Sequence, residues 1–388
     1  MKNRIMNEIS DRMEELSGIS RTLYENPELG DHEFKAVELL TDYFSKNGFT
    51  VEKGIHGLNT TFKAVCDSHK KGAHIALFCE YDALPRIGHG CGHNLISSMS
   101  AGAAMGLAAV LEETGGKISV FGTQAEETNG VKGVLADKGA FDDVTVAMMA
   151  HPNAVSEESG SSLALNAIRF EYFGKAAHAA AAPEKGINAL DGIILLYNGI
   201  NALRQHLKSD VRIHGILSNG GSVPNIVPDY AEAKFYFRAK EKEYLETAVA
   251  RAKECAEGAA KMTGTAVKIS NFERSYDNLK TNKTLSDLFT ANLRELGETK
   301  INPPSDGVGS IDLGNVSQVV PSIHPWIGVG DPSMIIHSRE FADHTMTEAG
   351  RTTLYRGACA LARTGYDVIT SRENQEKIKM EFASGLTK

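Results

Sequence analysis

The chain has 388 residues, an apolar fraction of 42%, a charged fraction of 23% and a formal net charge of −8. This length exceeds what one hydrophobic core usually serves, so we expect two domains. The negative charge and the lack of any block of consecutive basic residues argue against nucleic acid or a membrane surface as the main partner.

The N-terminal segment, residues 1–24, has the pattern of an amphipathic helix. Its apolar residues recur at spacings of three and four: Ile5, Ile9, Met13, Leu16, Ile19 and Leu23. Charges interrupt the segment throughout, which a signal peptide would not tolerate, and no window approaches 18 uncharged apolar residues, so we predict no transmembrane span. The five scattered cysteines favour a reducing cytoplasm over a disulfide scaffold.

The next part of the chain alternates strand-like and helix-like segments. Residues 74–81, 117–124 and 145–151 are short continuous apolar runs, as expected of strands that are buried on both faces. An alanine-rich stretch, residues 94–113, separates the first two and favours a helix. This alternation predicts a mostly parallel sheet covered by helices.

A different order of elements begins near residue 164. The patterns predict a strand, a helix, two strands, a helix and a strand over residues 164–173, 188–207, 212–218, 230–239, 241–262 and 266–272. This β-α-β-β-α-β order is that of a ferredoxin-like unit. Helical patterns return over residues 282–297 and 346–364. We therefore predict an α/β domain of residues 1–163 plus 277–388, interrupted by an α+β domain of residues 164–276.

Reactive side chains follow each of the three buried strands of the first domain. They are Asp82, Cys91 and His93 after the first strand, Glu126 and Glu127 after the second, and His151 after the third. Because the carboxyl ends of parallel strands meet at one edge of a sheet, we expect these side chains to lie together.

Each of these residues alone has an ordinary explanation. His151 could be a satisfied polar residue, Asp82 could belong to a turn, and the glutamate pair could open a helix. Together, however, thiolate, imidazole and carboxylate suit zinc, manganese, cobalt or iron better than magnesium or calcium. Two adjacent glutamates also allow one to bind metal while the other takes a proton from water.

Two rival hypotheses remain at this point. Cys91 could be a nucleophile oriented by His93, although this leaves the glutamates and His151 unexplained. The chain could also be a dimeric binding protein that has kept a fold and lost its chemistry. Sensitivity to chelators distinguishes the first rival, because a thiol enzyme survives removal of metal.

Eight ordered segments resemble one family along nearly the whole chain: NPELGDHE (26–33), YDALP (81–85), GHGCGH (88–93), AEE (125–127), AHP (150–152), GKAAHA (174–179), NIVPD (225–229) and HSREF (337–341). The chain is similar to the co-catalytic metallopeptidases and amidohydrolases, which include aminoacylases, bacterial glutamate carboxypeptidase, carnosine-type dipeptidases and auxin-conjugate hydrolases. The Cys-Gly-His version of the motif, followed by asparagine, looks like the branch of p-aminobenzoyl-glutamate-hydrolase-like dipeptidases.

The resemblance implies two divalent metal ions per subunit (zinc, manganese or cobalt), with five ligands: Cys91, His93, Glu127, His151 and His337. It implies Glu126 as general base and Asp82 as the residue that orients the site. His344 and His324 are rivals of His337, and we expect both to be structural. The chain also departs from the family, since Tyr24 stands where many relatives have histidine. Glu80 stands where the wider family has its first metal histidine.

The same resemblance implies that the inserted domain is a lid and a dimerisation domain. His178 would reach into the active site, often that of the partner subunit, and stabilise the oxyanion. Asn225 and Arg238 would hold the substrate's carbonyl or carboxylate. Without the family, His178 is only a histidine among alanines, Asn225 could start a turn before Pro228, and Arg238 could lie on a solvated strand face.

We therefore predict a cytoplasmic, homodimeric, metal-dependent hydrolase that cleaves an amide or peptide bond of a small dipeptide or N-acyl amino acid. p-Aminobenzoyl-glutamate-like amides are an alternative substrate class. The sequence leaves open the preferred substrate side chain, the native metal and the ligand that bridges the two ions, for which we favour the thiolate of Cys91.

Overall fold

The structure is a computed structural model that describes residues 1–307 and 309–385. The chain divides into two compact units. The larger unit comprises residues 1–161, 279–307 and 311 onward, and the inserted unit comprises residues 162–278 with 309 and 310.

The helices are, in chain order, α1 (Lys2–Asp11), α2 (Met13–Glu25), α3 (Phe34–Lys46), α4 (His93–Thr114), α5 (Glu126–Asn129), α6 (Lys132–Asp137), α7 (Ala189–Arg204), α8 (Lys242–Thr263), α9 (Lys283–Glu295), α10 (Leu313–Val316), α11 (Arg339–His344), α12 (Glu348–Thr370) and α13 (Arg372–Gly385). Short 3₁₀ turns occur at Ile55–Gly57 and Pro183–Lys185.

The strands are, in chain order, β1 (Thr50–Lys53), β2 (Phe62–Asp67), β3 (His74–Glu80), β4 (Lys117–Thr123), β5 (Val146–Met148), β6 (His151–Asn153), β7 (Ser156–Glu157), β8 (Ala164–Phe173), β9 (Arg212–Asn219), β10 (Tyr230–Ala239), β11 (Ala266–Asn271), β12 (Ile301–Asn302), β13 (Ser322–Ile323) and β14 (Trp326–Gly328).

The larger unit is built on a six-stranded sheet with the order β1-β2-β4-β3-β5-β13. The pairs β4/β3, β3/β5 and β5/β13 are parallel, while β1/β2 and β2/β4 are antiparallel. Every residue of β3 is buried, as the continuous apolar run predicts. A second, smaller sheet of this unit has the order β12-β7-β14-β6. The parallel part of the first sheet places the carboxyl ends of β3, β4 and β5 side by side.

Helix α4 follows the carboxyl end of β3 and is buried along most of its length. By length and composition this helix could cross a membrane, since the mean hydropathy of its most apolar 18-residue window is 1.5. The sequence patterns had predicted no such segment. However, 89% of its most apolar window is buried inside the protein, as in the central helix of an α/β core. The apolar composition of α4 is therefore explained by packing within the larger unit.

The inserted unit has a four-stranded antiparallel sheet with the order β11-β8-β10-β9. Helices α7 and α8 contribute their buried faces to a core that is separate from that of the larger unit. Numbered within the insert, the strand order is 4-1-3-2, which is the ferredoxin-like arrangement. The predicted fold class, an α/β domain interrupted by a ferredoxin-like α+β insert, is confirmed.

The N-terminal helix differs from its prediction. The chain forms α1 and α2 in place of one helix, because the backbone leaves the helical range at Arg12 (φ −95°, ψ 3°). The apolar stripe continues across the break, since Ile5, Ile9 and Leu16 are all fully buried. The periodicity thus predicted the buried face correctly and did not detect the local break.

Candidate metal centre

The structure brings together the seven candidate residues that lie in the larger unit. They are Asp82, Cys91, His93, Glu126, Glu127, His151 and His337, and donor atoms from six of them form overlapping groups whose members lie within 4.8 Å of one another. Asp82 contacts this set through His93. The segments that follow β3, β4 and β5 supply all of these residues except His337, which precedes α11. His151 does not end the predicted third strand, because β5 ends at Met148 and His151 is the first residue of β6.

Cys91 lies at the centre of the set. Its Sγ is 3.4 Å from Nε2 of His151 and 3.3 Å from Nε2 of His337. The next residue, Gly92, has φ +81° and precedes the first residue of α4. A Cβ at Gly92 would approach the Pro152 ring to 2.5 Å, so both the backbone angle and the close packing require glycine here. This turn lets Cys91 and His93 face the same site.

His93 is oriented by the loop that follows β3. Its Nδ1 lies 2.8 Å from the backbone oxygen of Asp82 and 3.0 Å from Oδ1 of the same residue. The backbone oxygen accepts the hydrogen bond, so Nδ1 carries the proton and Nε2 is left as a donor atom for a metal. His93 Nε2 is buried and makes no hydrogen bond of acceptable geometry within the described residues. Its surroundings fit a ligand better than a structural histidine.

His151 has the same arrangement with a different partner. Its Nδ1 lies 2.8 Å from the backbone oxygen of Pro152, which can only accept, so Nε2 again faces the site. The ring packs between His324 and Trp326, with centroid distances of 5.3 and 4.6 Å. His324 thus supports a candidate ligand, whereas His344 places Nε2 2.9 Å from the backbone oxygen of Val329.

The two glutamates leave β4 through a strained turn. Ala125 has φ +57°, an unusual angle for a residue with a side chain, and it precedes α5. The buried Glu33 stabilises this turn, because its Oε1 accepts a hydrogen bond of 2.9 Å from the backbone N–H of Ala125. Asp82 Oδ2 accepts a further bond of 3.0 Å from the backbone N–H of Glu127. Asp82 therefore orients both His93 and the glutamate segment.

His337 joins the site from a distant part of the chain. Its backbone has φ +65°, and its N–H donates a 2.8 Å hydrogen bond to the oxygen of Gly90. Its Nε2 lies 3.4 Å from Oε1 of Glu127. The side chain is 50% exposed, whereas that of His93 is fully buried. His337 therefore marks the solvent side of the set.

The spacing of these donors fits a shared divalent metal. A tetrahedral zinc ion separates a thiolate sulfur from an imidazole nitrogen by about 3.6 Å, and a nitrogen from a carboxylate oxygen by about 3.4 Å. The distances around Cys91 and between His337 and Glu127 agree with these values. Two donor groups share the sulfur, one with His93 and His151 and the other with Glu127 and His337.

The electrostatics of the site also favour a bound cation. Burial, together with the charges of Glu80 and Glu127, raises the pKa of the Glu126 carboxyl well above its usual range. Burial likewise raises the pKa of the Cys91 thiol well above its usual range, the opposite of what a free nucleophile requires. A dication next to the sulfur reverses that preference and stabilises the thiolate. The cysteine-nucleophile hypothesis has no support from this environment.

Sequence reasoning missed two residues beside the set. Lys132 is fully buried, and its Nζ lies 2.6 Å from both Glu80 Oε1 and Asp312 Oδ1. Lys132 gave no sequence signal, because the burial of a charged side chain is recognised only from its partners. Asp312 gave no signal, since it lies 180 positions away in a Gly- and Ser-rich connection.

The remaining three candidates lie in the inserted unit. His178 and Asn225 are exposed and adjacent, since the backbone N–H of Ala179 donates a 3.0 Å hydrogen bond to the oxygen of Asn225. Nδ1 of His178 accepts from the backbone N–H groups of Ala180 and Ala181, so the neutral ring carries its proton on Nε2. Arg238 is half-buried on β10 and donates a 3.1 Å hydrogen bond to the Ser310 hydroxyl.

Comparisons with known proteins agree on one family. Residues 165–263 match the peptidase dimerisation domain of M20 proteins. The chain is 38% identical to the Xaa-Arg dipeptidase of Mus musculus over 98% of its own length and 92% of that protein. It is 32% identical to a p-aminobenzoyl-glutamate hydrolase subunit of Escherichia coli over 73% of its own length and 63% of that protein.

A solved structure shares the fold. A Bacillus subtilis protein described as a dinuclear metal-binding peptidase of the M20 family superimposes with a TM-score of 0.64 at 18% identity. The match covers 91% of the present chain and 98% of that protein.

Proposed function

This chain belongs to the M20 family of metallopeptidases, and we propose that five of its side chains hold the metal. It is a metal-dependent hydrolase of amide or peptide bonds in small dipeptides or N-acyl amino acids. The five are Cys91, His93, Glu127, His151 and His337. The family resemblance that the eight motifs predicted is thereby confirmed.

One observation carries the proposed ligand set. Thiolate, imidazole and carboxylate donors from four separate chain segments lie at distances from one another that suit ligation of a shared metal ion. Cys91 belongs to two donor groups, so its thiolate would contribute to the binding of two cations. The mixture of sulfur, nitrogen and oxygen donors suits zinc, manganese or cobalt.

We assign the proton transfers to Glu126. When bound, the cations acidify a water and polarise the scissile carbonyl. Glu126 follows β4 next to a proposed ligand and belongs to a donor group with His93 and Glu127. Its raised pKa favours uptake of a proton, which the same carboxyl then returns to the leaving amine. Asp82 orients the backbone N–H of Glu127 and the ring of His93 relative to the Glu126 carboxyl.

We propose that the inserted unit supplies the substrate contacts and the dimer interface. His178 can donate from Nε2 to the oxyanion, and Arg238 can pair with a carboxylate while Asn225 holds a carbonyl. The edge strand β9 supports self-association, because it pairs only with β10 among the described residues and exposes Ile216 (63%) and Leu217 (48%).

The proposed substrates are dipeptides that end in arginine. This choice rests on the Xaa-Arg dipeptidase relatives, at 36–38% identity. N-acyl amino acids and p-aminobenzoyl-glutamate-like amides are the alternative. The Escherichia coli hydrolase relative supports the amides, and an N-acetyl-L-cysteine deacetylase of Bacillus subtilis, 27% identical over 57% of this chain, supports the N-acyl amino acids. The five cysteines are all free thiols, which supports the proposed cytoplasmic location.

Metal removal and a substrate panel test this function. The chain is stripped with a chelator, reloaded with zinc, manganese or cobalt, and assayed on Xaa-Arg dipeptides, N-acetyl amino acids and p-aminobenzoyl-glutamate. We expect loss of hydrolysis on stripping and recovery with at least one metal. Hydrolysis that persists in the stripped chain would contradict the metal mechanism.

A ligand variant with a matched control extends the test. Cys91→Ser should lower metal affinity by at least about tenfold, because the bridging sulfur is replaced by a poor ligand. Cys66→Ser, which changes a half-buried thiol in β2, should retain the metal. Equal metal content in both variants would remove Cys91 from the proposed ligand set.

A further inference from the structure

An acidic pocket lies next to the proposed metal centre. Glu80 at the end of β3, Glu126 at the start of α5 and Asp312 before α10 bring carboxylate oxygens within 4.8 Å of one another. Glu80 and Asp312 are almost entirely buried. Three carboxylates at this spacing, two of them buried, need a cation or protons to remain together.

The ammonium group of Lys132 is that cation. Its Nζ lies 2.6 Å from both Glu80 Oε1 and Asp312 Oδ1, and its backbone N–H donates a 3.1 Å hydrogen bond to Asp312 Oδ2. The Phe78 ring lies 5.9 Å from Nζ, so the ammonium is enclosed by apolar surface as well as by carboxylates. Both oxygens of Asp312 are therefore used by one lysine.

This arrangement determines where Glu80 points. Its Oε1 binds Lys132, while its Oε2 lies 3.5 Å from Nε2 of His93, a proposed metal ligand. The salt bridge with Lys132 and the approach to His93 place the Glu80 carboxylate within reach of the metal centre.

We propose that Lys132 is a positioning residue that occupies the acidic pocket as a built-in cation and keeps Glu80 and Asp312 from binding metal. Metal is thereby confined to the centre around Cys91, and the carboxyl of Glu126 stays available for proton transfer. The part of this inference that concerns Glu126 rests on the proposed function; the part that concerns the metal count does not.

Removing the ammonium group should turn the pocket into a cation site. In Lys132→Met the side-chain length is kept, but two buried carboxylates lose their partner, and oxygen donors of this kind bind Mn²⁺. After equilibrium dialysis against MnCl₂ and elemental analysis, we expect Lys132→Met to hold one more manganese per chain than the wild type. Lys132→Arg, which keeps the charge, should hold the wild-type amount.

A double variant removes the new site again. Lys132→Met/Asp312→Asn has the same formal charge in the pocket as the wild type but one carboxylate fewer. It should fold, as judged by circular dichroism, and return to the wild-type manganese content. Because Lys132 no longer holds Glu80 in place, the kcat of the double variant should be at least about tenfold lower than that of the wild type, with little change in KM.

Two results would overturn the proposal. One is a folded Lys132→Met chain with the wild-type manganese content. The other, which applies even if that chain does not fold, is a folded double variant with wild-type kcat. Failure of the proposed function is recognised separately, because the metal count needs no hydrolysis and Cys91→Ser reports on the main centre.

Discussion

The two units carry their candidate functional residues in opposite ways. In the larger unit, His93 and Cys91 are buried, and each candidate ligand is oriented by a backbone carbonyl, a carboxylate or a strained turn. In the inserted unit, His178 and Asn225 are exposed, and Arg238 is half-buried with one hydroxyl partner. The fold alone therefore fixes the geometry of the first set, whereas the roles that we propose for the second set depend on a bound substrate or a partner subunit.

The largest effect should come from the buried set. Glu126→Gln keeps the shape of the side chain and removes the proton acceptor, so we expect kcat to fall roughly 10³-fold with the metal content unchanged. Glu113→Gln, an exposed change on α4, should leave kcat unaltered. Steady-state kinetics and elemental analysis check both. Wild-type turnover in Glu126→Gln would remove the general-base role.

An exposed residue should matter for turnover without affecting the metal. We expect His178→Ala to lower kcat about 10²-fold and to keep the full metal content, because the role proposed for this ring is to stabilise charge and not to bind metal. His206→Ala, also exposed in the inserted unit, is the matched control. Loss of metal in His178→Ala would contradict the assignment of metal binding to the larger unit alone.

A mixing experiment sharpens the same comparison. If His178 acts across subunits, mixed pairs of Glu126→Gln and His178→Ala chains contain one intact site each. Such a mixture should recover up to about a quarter of wild-type activity, because about half of the pairs are mixed. No recovery after subunit exchange would place His178 and Glu126 of one site on the same chain.

Arg238 should show a smaller effect that depends on the substrate. Arg238→Met should lower kcat/KM about 20-fold for a dipeptide with a free carboxylate, since one charge-assisted contact is lost. A dipeptide amide should be affected far less. Arg212→Met changes the cross-strand neighbour on β9 and is the matched control. Equal losses for both substrates would contradict carboxylate binding by Arg238.

The last comparison concerns stability, and not turnover, and the turn that carries Glu126. Burial, aided by the charge of Asp82, raises the pKa of Glu33 to about 7, so the folded state binds this proton more tightly than the unfolded state does. The contribution of Glu33 to the free energy of unfolding is therefore full below pH 4 to 5 and lost as the pH rises through 7. In Glu33→Gln this dependence should vanish.

Urea unfolding at pH 5 and pH 8 measures this contribution. From pH 5 to pH 8 the free energy of unfolding of the wild type should fall by up to about 3 kcal/mol relative to that of Glu33→Gln. Glu25→Gln, an exposed change at the end of α2, should follow the wild type. Parallel pH profiles for Glu33→Gln and the wild type would show that Glu33 does not titrate in this range.

The sequence predicted the larger features of the fold because they follow from periodicity. Continuous apolar runs located β3, β4 and β5, and the rule that sites form at the carboxyl ends of parallel strands then grouped Cys91 with His151 and the glutamates. It did not predict β1 or β2, whose short and mixed patterns carry weak signals. It also did not predict α3, although the buried Val37, Leu40 and Phe44 of this helix recur at helical spacing.

Long-range pairs were beyond sequence reasoning. His337 entered the candidate site only through the family resemblance, since its contact with Cys91 spans 246 positions. The pairing of Lys132 with Glu80 and Asp312 had no counterpart in any motif, because a buried charge is recognised only from its partners.

The contact between Cys91 and His337 also constrains how the protein is made. His337 follows the entire inserted unit in the chain. During translation, Cys91, His93 and His151 therefore leave the ribosome long before His337 does. The proposed donor set is therefore incomplete throughout most of translation. Full metal loading must await the end of synthesis, and a nascent chain stalled before residue 337 should bind metal only weakly.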